Sequence, residues 1–94
     1  MDIHYNWRNP ITNVRTFGSD VENVKKMGVA YVREIQKHGV AAAIKHFPGD
    51  GCDERDQHVS ISVNSLSCEE WDKSYGQVYS ECIKALIKAS LIAL

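Results

Sequence analysis

Five consecutive apolar residues, Val40-Ala41-Ala42-Ala43-Ile44, preceded by Gly39 and followed by Lys45-His46, constrain this chain more than any other stretch. An unbroken apolar run of this length is the signature of a strand buried on both faces, and such strands belong to parallel sheets covered by helices. Helical patterns flank it on both sides. Upstream, Val21, Val24, Gly28, Tyr31, Val32 and Ile35 recur at helical spacing, with Lys25, Lys26, Arg33, Glu34 and Lys37 turned outward. Ser19 with Glu22 three residues later predicts a capping box at the start of that helix, and Gly39 predicts its left-handed stop. Downstream, Ser67 and Glu70 form a second capping box, and Leu66 faces Trp71 as a hydrophobic staple. Trp71, Tyr75, Val78, Cys82 and Leu86 mark the inner face of this second helix, which is expected to run to about Lys88 before an apolar tail, Ala89 to Leu94. Tyr31, Tyr75, Tyr79 and Trp71 read as core. Met1 to Tyr5 reads as a strand end and residues 6–18 as a polar loop. The resulting order of strand end, loop, helix, strand, long loop, helix and apolar tail is an α/β alternation, which implies a parallel sheet.

The chemistry concentrates where the apolar run ends. Lys45 and His46 close it, and a loop broken by Pro48, Gly49 and Gly51 then carries Asp50, Asp53, Asp56 and His58. In β/α architectures the working groups sit where strands end and their loops begin. Asp56 and His58 are two positions apart, close enough for the carboxylate to hold the imidazole in one tautomer and stabilise its protonated form. Imidazole titrates near neutrality, which suits proton donation followed by proton removal. The plainer alternative is a solvated loop whose Asp and His bond to backbone. Lys45 and His46 likewise read either as ligand-binding groups or as a snorkelling lysine and a satisfied core histidine. Arg15 offers a five-donor fork to a ligand, or caps a loop onto neighbouring carboxylates. The spacing of His46, Asp50, Cys52, Asp53, Asp56 and His58 fits neither an EF-hand loop nor a Cys/His zinc module, so no metal is expected. Gly49-x-Gly51 is too short for a nucleotide-binding glycine loop.

The loop also carries a likeness. Lys45-His46-Phe47-Pro48-Gly49-x-Gly51 with Asp56-x-His58 resembles the Lys-His-Phe-Pro-Gly-x-Gly-x-x-x-x-Asp-x-His segment of family 3 glycoside hydrolases, in the branch typified by β-N-acetylglucosaminidases. Asp2-Ile3 followed by Asn9-Pro10-Ile11-Thr12-Asn13-Val14-Arg15-Thr16-Phe17-Gly18 resembles the strand and loop that precede it, where an arginine before a Ser/Thr-Phe-Gly step reaches the sugar. The likeness runs from Asp2 to about Ala85. It departs at Asp50, where histidine is common, at Cys52-Asp53, where aspartate-threonine is common, and after Lys84, where a glycine usually opens the next strand.

The resemblance implies a TIM-type (β/α)8 barrel. Since a complete barrel needs about 250 residues, residues 1–94 would be part of the N-terminal catalytic domain, with two to three strands and two helices. It implies hydrolysis of O-glycosyl bonds that removes terminal β-linked N-acetylglucosamine with retention, through a glycosyl-enzyme intermediate. In that scheme His58 is the acid/base, Asp56 its partner, and Lys45, His46 and Arg15 bind the sugar. The nucleophile is an aspartate on a later strand, beyond Leu94. Within the same class, β-glucosidase or glycoside phosphorylase activity is the alternative; outside it stands a non-catalytic, truncated remnant of such an enzyme. No cofactor is implied. The expected partners are a carbohydrate and either the rest of the barrel or further copies of the chain, and the isolated chain is expected to be inactive.

Composition narrows the remaining classes. A net charge of -1 provides no basic field for nucleic acid. No apolar stretch is long enough for a membrane span, and Met1-Asp2-Ile3-His4 is not a signal peptide. Three cysteines, Cys52, Cys68 and Cys82, lack a Cys-x-x-Cys spacing and cannot all pair, which fits a reducing, cytoplasmic setting.

Overall fold

A computed structural model of the chain describes residues 1–86 and 91–92. Helix α1 spans Val21–Lys37. Its cap is Asp20, one residue later than the Ser19–Glu22 spacing predicts: the Asp20 carboxylate accepts the Asn23 N–H at 2.7 Å. Aspartate caps as well as serine, and from position 20 it reaches the third helical N–H. Glu22 instead sits in the first turn, where its charge suits the helix dipole. The stop is as expected: His38 closes the helix and Gly39 takes φ +74°.

The buried row of α1 climbs in steps of four, Val24, Gly28, Val32 and Gln36. Each step turns about 40° around the axis. Tyr31 therefore falls just outside the buried arc and is 58% exposed, edged at 6.3 Å by Phe17, so it is not core. Gly28 lets α1 approach its neighbours closely. A Cβ there would lie 2.9 Å from Met1 Sδ and 3.0 Å from Cys82 Sγ.

Strand β1 is only Ala43–Ile44. It pairs in parallel with β2, Leu91–Ile92, in the register Ala43 to Leu91 and Ile44 to Ile92. Within the described residues the apolar run is buried on one face only. Ala42, Ile44 and His46 are buried, whereas Ala41, Ala43 and Lys45 are exposed and Val40 is 58% exposed. Small apolar side chains mask this alternation in the sequence; the pleat restores it, because successive residues point to opposite faces. Met1 to Tyr5 is not a ladder strand either, but a segment held against the loop after β1 by the Ile3 N–H to Asp50 O and the Tyr5 N–H to Gly51 O.

The second helical region starts with α2, Cys68–Trp71, passes through a π-helical turn, Asp72–Gly76, and continues as α3, Gln77–Ala85. Its capping box is the expected one: Ser67 Oγ accepts the Glu70 N–H at 3.2 Å, and Glu70 Oε2 accepts the Ser67 N–H at 2.8 Å. Leu66 and Trp71 both pack against the core. The helix ends at Ala85 rather than near Lys88. Leu86 turns extended and its N–H closes the last turn onto Ile83 O at 3.0 Å. The rest of the expected tail, residues 87–90 and 93–94, lies outside the described residues.

The core joins α1 to α3 and to the strand: Ile3, Val24, Val32, Ala42, Ile44, Tyr75, Val78, Tyr79, Cys82 and Ala85. Helix, strand, helix and parallel strand form an α/β arrangement. No helix among the described residues is long and apolar enough to cross a membrane.

Candidate active site

The loop leaving β1 is pinned by the aromatic face of the second helical region. Phe47 stands edge-on to Trp71 and Tyr79, at 6.1 and 5.4 Å, and Trp71 Nε1 donates to Pro48 O at 2.6 Å. One turn on, the buried Tyr75 hydroxyl reaches Asp50 O at 2.8 Å and Ile3 O at 3.1 Å. Burial pushes the Tyr75 phenol far up from its ordinary value, so it remains a donor. Gly49 and Gly51 both take φ +122°; a Cβ on Gly49 would collide with the Tyr75 ring, and one on Gly51 with the Ile3 carbonyl oxygen. Glycine is required at both positions. The tyrosine thus ties the N-terminal segment, the catalytic-loop candidate and the helix together.

Asp2 and Asn9 complete the frame. Asp2 Oδ1 accepts the N–H of His46 and that of Asp50, each at 3.0 Å, and Oδ2 lies 2.8 Å from His46 Nδ1. Asn9, fully buried, donates to Asp50 Oδ1 at 2.9 Å and to Asp53 O at 2.7 Å, while its own oxygen accepts the N–H groups of Ile11 and Thr12. It therefore locks the loop carrying Arg15 to the loop carrying His58. Neither residue stood out in the sequence as a site residue, because their partners lie more than forty positions away.

Arg15, Lys45 and His46 line one open cleft of about 350 Å³, together with Asp2, Thr12 and Tyr31. That volume is within the range of small-molecule sites. Arg15 and Lys45 are exposed there, and His46 is 7% exposed. The Lys45–His46 and Phe47–Pro48 peptides are cis.

His58 reaches this group through its ring, which stands edge-on to His46 at 5.7 Å and 89°. Asp56 Oδ1 accepts from the His58 N–H at 2.8 Å and lies 2.7 Å from His58 Nδ1. These two contacts, the backbone one first, draw the Asp56 carboxyl below its ordinary range. With Asp56 at Nδ1, Nε2 is the ring nitrogen left without that contact on a half-exposed side chain. Asp53 supports the turn: the Arg55 side chain, then the Val63 and Arg55 N–H groups, hold its carboxyl well below the usual range. Burial pushes the Cys52 thiol up from its ordinary value. Among the described residues no three His, Cys, Asp or Glu side chains converge as a metal site.

The pattern that defines the glycosyl hydrolase family 3 N terminal domain matches residues 1–93. This chain belongs to glycosyl hydrolase family 3. It is 56% identical, over 98% of its length, to a β-N-acetylglucosaminidase/β-glucosidase of Cellulomonas fimi, of which it covers 16%. It is 39% identical over 90% of its length to β-hexosaminidase A of Pseudoalteromonas piscicida, covering 14% of that protein. Among solved structures it is similar to the β-glucoside phosphorylase BglX bound to 2FGlc, with a TM-score of 0.86, 55% identity, and coverage of 89% of this chain and 15% of that one. The chain thus spans about a sixth of these family 3 relatives.

Proposed function

We propose that the protein to which this segment belongs is a retaining β-N-acetylglucosaminidase, and that the segment supplies part of a (β/α)8 barrel. The observation that carries this reading is the His58–Asp56 contact of 2.7 Å, with the His58 ring edge-on to His46, which lines a cleft with Arg15 and Lys45. Asp56 holds the proton on Nδ1, so Nε2 faces outward to exchange a proton with substrate. In the first step Nε2–H protonates the leaving oxygen while a carboxylate attacks the anomeric carbon; in the second, Nε2 takes a proton from the attacking water. Arg15 and Lys45 orient the sugar by donating to its oxygens.

The nucleophile lies elsewhere in the protein. Asp2, the carboxylate lining the cleft, already accepts three hydrogen bonds and is not free to attack. The 94 residues alone are therefore inactive under this proposal, and their sugar-binding groups need the rest of the barrel. An odd number of cysteines without a Cys-x-x-Cys spacing, Cys52, Cys68 and Cys82, supports a cytoplasmic setting.

Similarity to a β-glucoside phosphorylase favours a second reading, transfer of the sugar to phosphate. A neutral imidazole base repels an anionic acceptor less than a carboxylate base would, so the same dyad serves either acceptor. The test is turnover of aryl N-acetyl-β-glucosaminide and aryl β-glucoside by the complete protein, with and without inorganic phosphate, reading products by NMR. Free N-acetylglucosamine of β configuration is expected; a sugar 1-phosphate would select the second reading, and no turnover of either glycoside would overturn both.

A further inference from the structure

Asp2 is poised to do more than hold a turn. Its Oδ1 accepts two backbone N–H groups, those of His46 and Asp50, and its Oδ2 faces His46 Nδ1 at 2.8 Å. Both side chains are nearly buried, 10% exposed for Asp2 and 8% for His46. A carboxylate has only acceptor sites to offer, so the hydrogen in that contact resides on Nδ1. The other ring nitrogen, Nε2, is buried and has no hydrogen-bond partner among the described residues. A buried polar atom left unpaired costs about 1–3 kcal/mol, and such atoms in a cleft are commonly completed by a ligand.

We propose that Asp2 is a positioning residue: in the uncharged form of the His46 ring it fixes the Nδ1–H tautomer, leaving Nε2 as a hydrogen-bond acceptor for a hydroxyl of the bound sugar. The kinetic consequence rests on the reading of His46 as a sugar-binding group; the tautomer does not. Sugar hydroxyls are both donors and acceptors, so an acceptor at Nε2 beside the donors Arg15 and Lys45 selects which hydroxyl proton points where. That arrangement discriminates against a sugar lacking the hydroxyl, because the nitrogen then stays unpaired.

Asp2→Asn tests this with little change of shape. The two backbone N–H groups need an acceptor, so the amide oxygen stays at the Oδ1 position and its NH2 faces Nδ1. Donor against donor moves the imidazole hydrogen to Nε2. The proton positions are read by NMR of the complete protein containing 15N-labelled histidine, at a pH where His46 is neutral. Wild type is expected to show hydrogen on Nδ1 and none on Nε2, and the variant the reverse. With it, KM for the glycoside is expected to rise tenfold or more. Hydrogen on Nε2 in wild type overturns the proposal without recourse to any variant, as does an unchanged tautomer in Asp2→Asn. A reversed tautomer with unchanged KM upholds the positioning role and overturns the sugar-binding reading of His46 instead.

Discussion

Tyr75→Phe removes one oxygen at the point where three parts of the molecule meet. The hydroxyl has a single hydrogen shared between Asp50 O and Ile3 O, at 2.8 and 3.1 Å, and its oxygen is left to accept from the Cys52 thiol at 3.5 Å, a weak bond. Two costs compete here: loss of a net hydrogen bond, about 0.5–1.5 kcal/mol, and the larger penalty of orphaning a buried acceptor, up to about 3 kcal/mol. The second does not apply in full. Asp50 O also accepts the Ile3 N–H at 3.2 Å, and Ile3 O the Tyr5 N–H at 2.9 Å, so each carbonyl keeps a donor. The ring itself stays and continues to fill the space beside Gly49. The smaller figure therefore governs, which corresponds to about a two- to tenfold rise in local opening. Hydrogen exchange of the complete protein, read by mass spectrometry on peptides covering residues 1–6, is the assay. Faster exchange at the Ile3, Tyr5 and Asn6 amides, with helix α1 unaffected, is expected. Unchanged exchange at these amides would refute the claim that Tyr75 clamps the N-terminal segment to the loop, and a rise of a thousandfold would show that the retained donors do not compensate.

Other expectations follow from the same geometry. Ser67→Ala removes the cap of α2 and should lower stability by about 1 kcal/mol, measured by urea unfolding; no change would mean that Glu70 holds the helix start alone. Lys45→Ala, at an exposed position, should raise KM for the glycoside while shifting stability within about 0.5 kcal/mol; a large drop in Tm with normal kinetics would make Lys45 structural. Because the folded-state Asp56 pKa is lowered by the His58 N–H and ring, its contribution to loop stability is fully present above the ordinary carboxylate value and is lost as pH falls through the depressed folded value. Carbon NMR of the Asp56 carboxyl should therefore show a midpoint below that of a free aspartate, and a midpoint at or above it would contradict the contact.

What could be read from the sequence was local. Ser67 and Glu70 are three residues apart and Asp56 and His58 two, so chain geometry alone brings them together. The β/α alternation was legible for a similar reason, since each helix carries its own period and Gly39 its own stop. Across the chain, legibility failed. His46 meets Asp2 forty-four residues away, and nothing near either marks the pair. Gly49 and Gly51 look like ordinary turn residues until Tyr75 and Ile3 are packed against them. The three alanines of the strand run suit either one-sided or two-sided burial, and only the surrounding packing separates the two. Ser19 and Asp20 are both good caps, and the choice between them rests on where the preceding loop delivers the chain. The π-helical turn at Asp72–Gly76 has no local signal that we recognise.

The central claim, that His58 moves the proton, is tested most directly by leaving-group dependence in the complete protein. His58→Ala should depress turnover of alkyl or disaccharide N-acetyl-β-glucosaminides by about 10²–10⁴-fold, since their leaving oxygens need a proton. Nitrophenyl glycosides leave without one and should lose far less in the glycosylation step. A steep leaving-group dependence appearing only in the variant is the predicted result; equal, small losses on both substrate types would contradict the account.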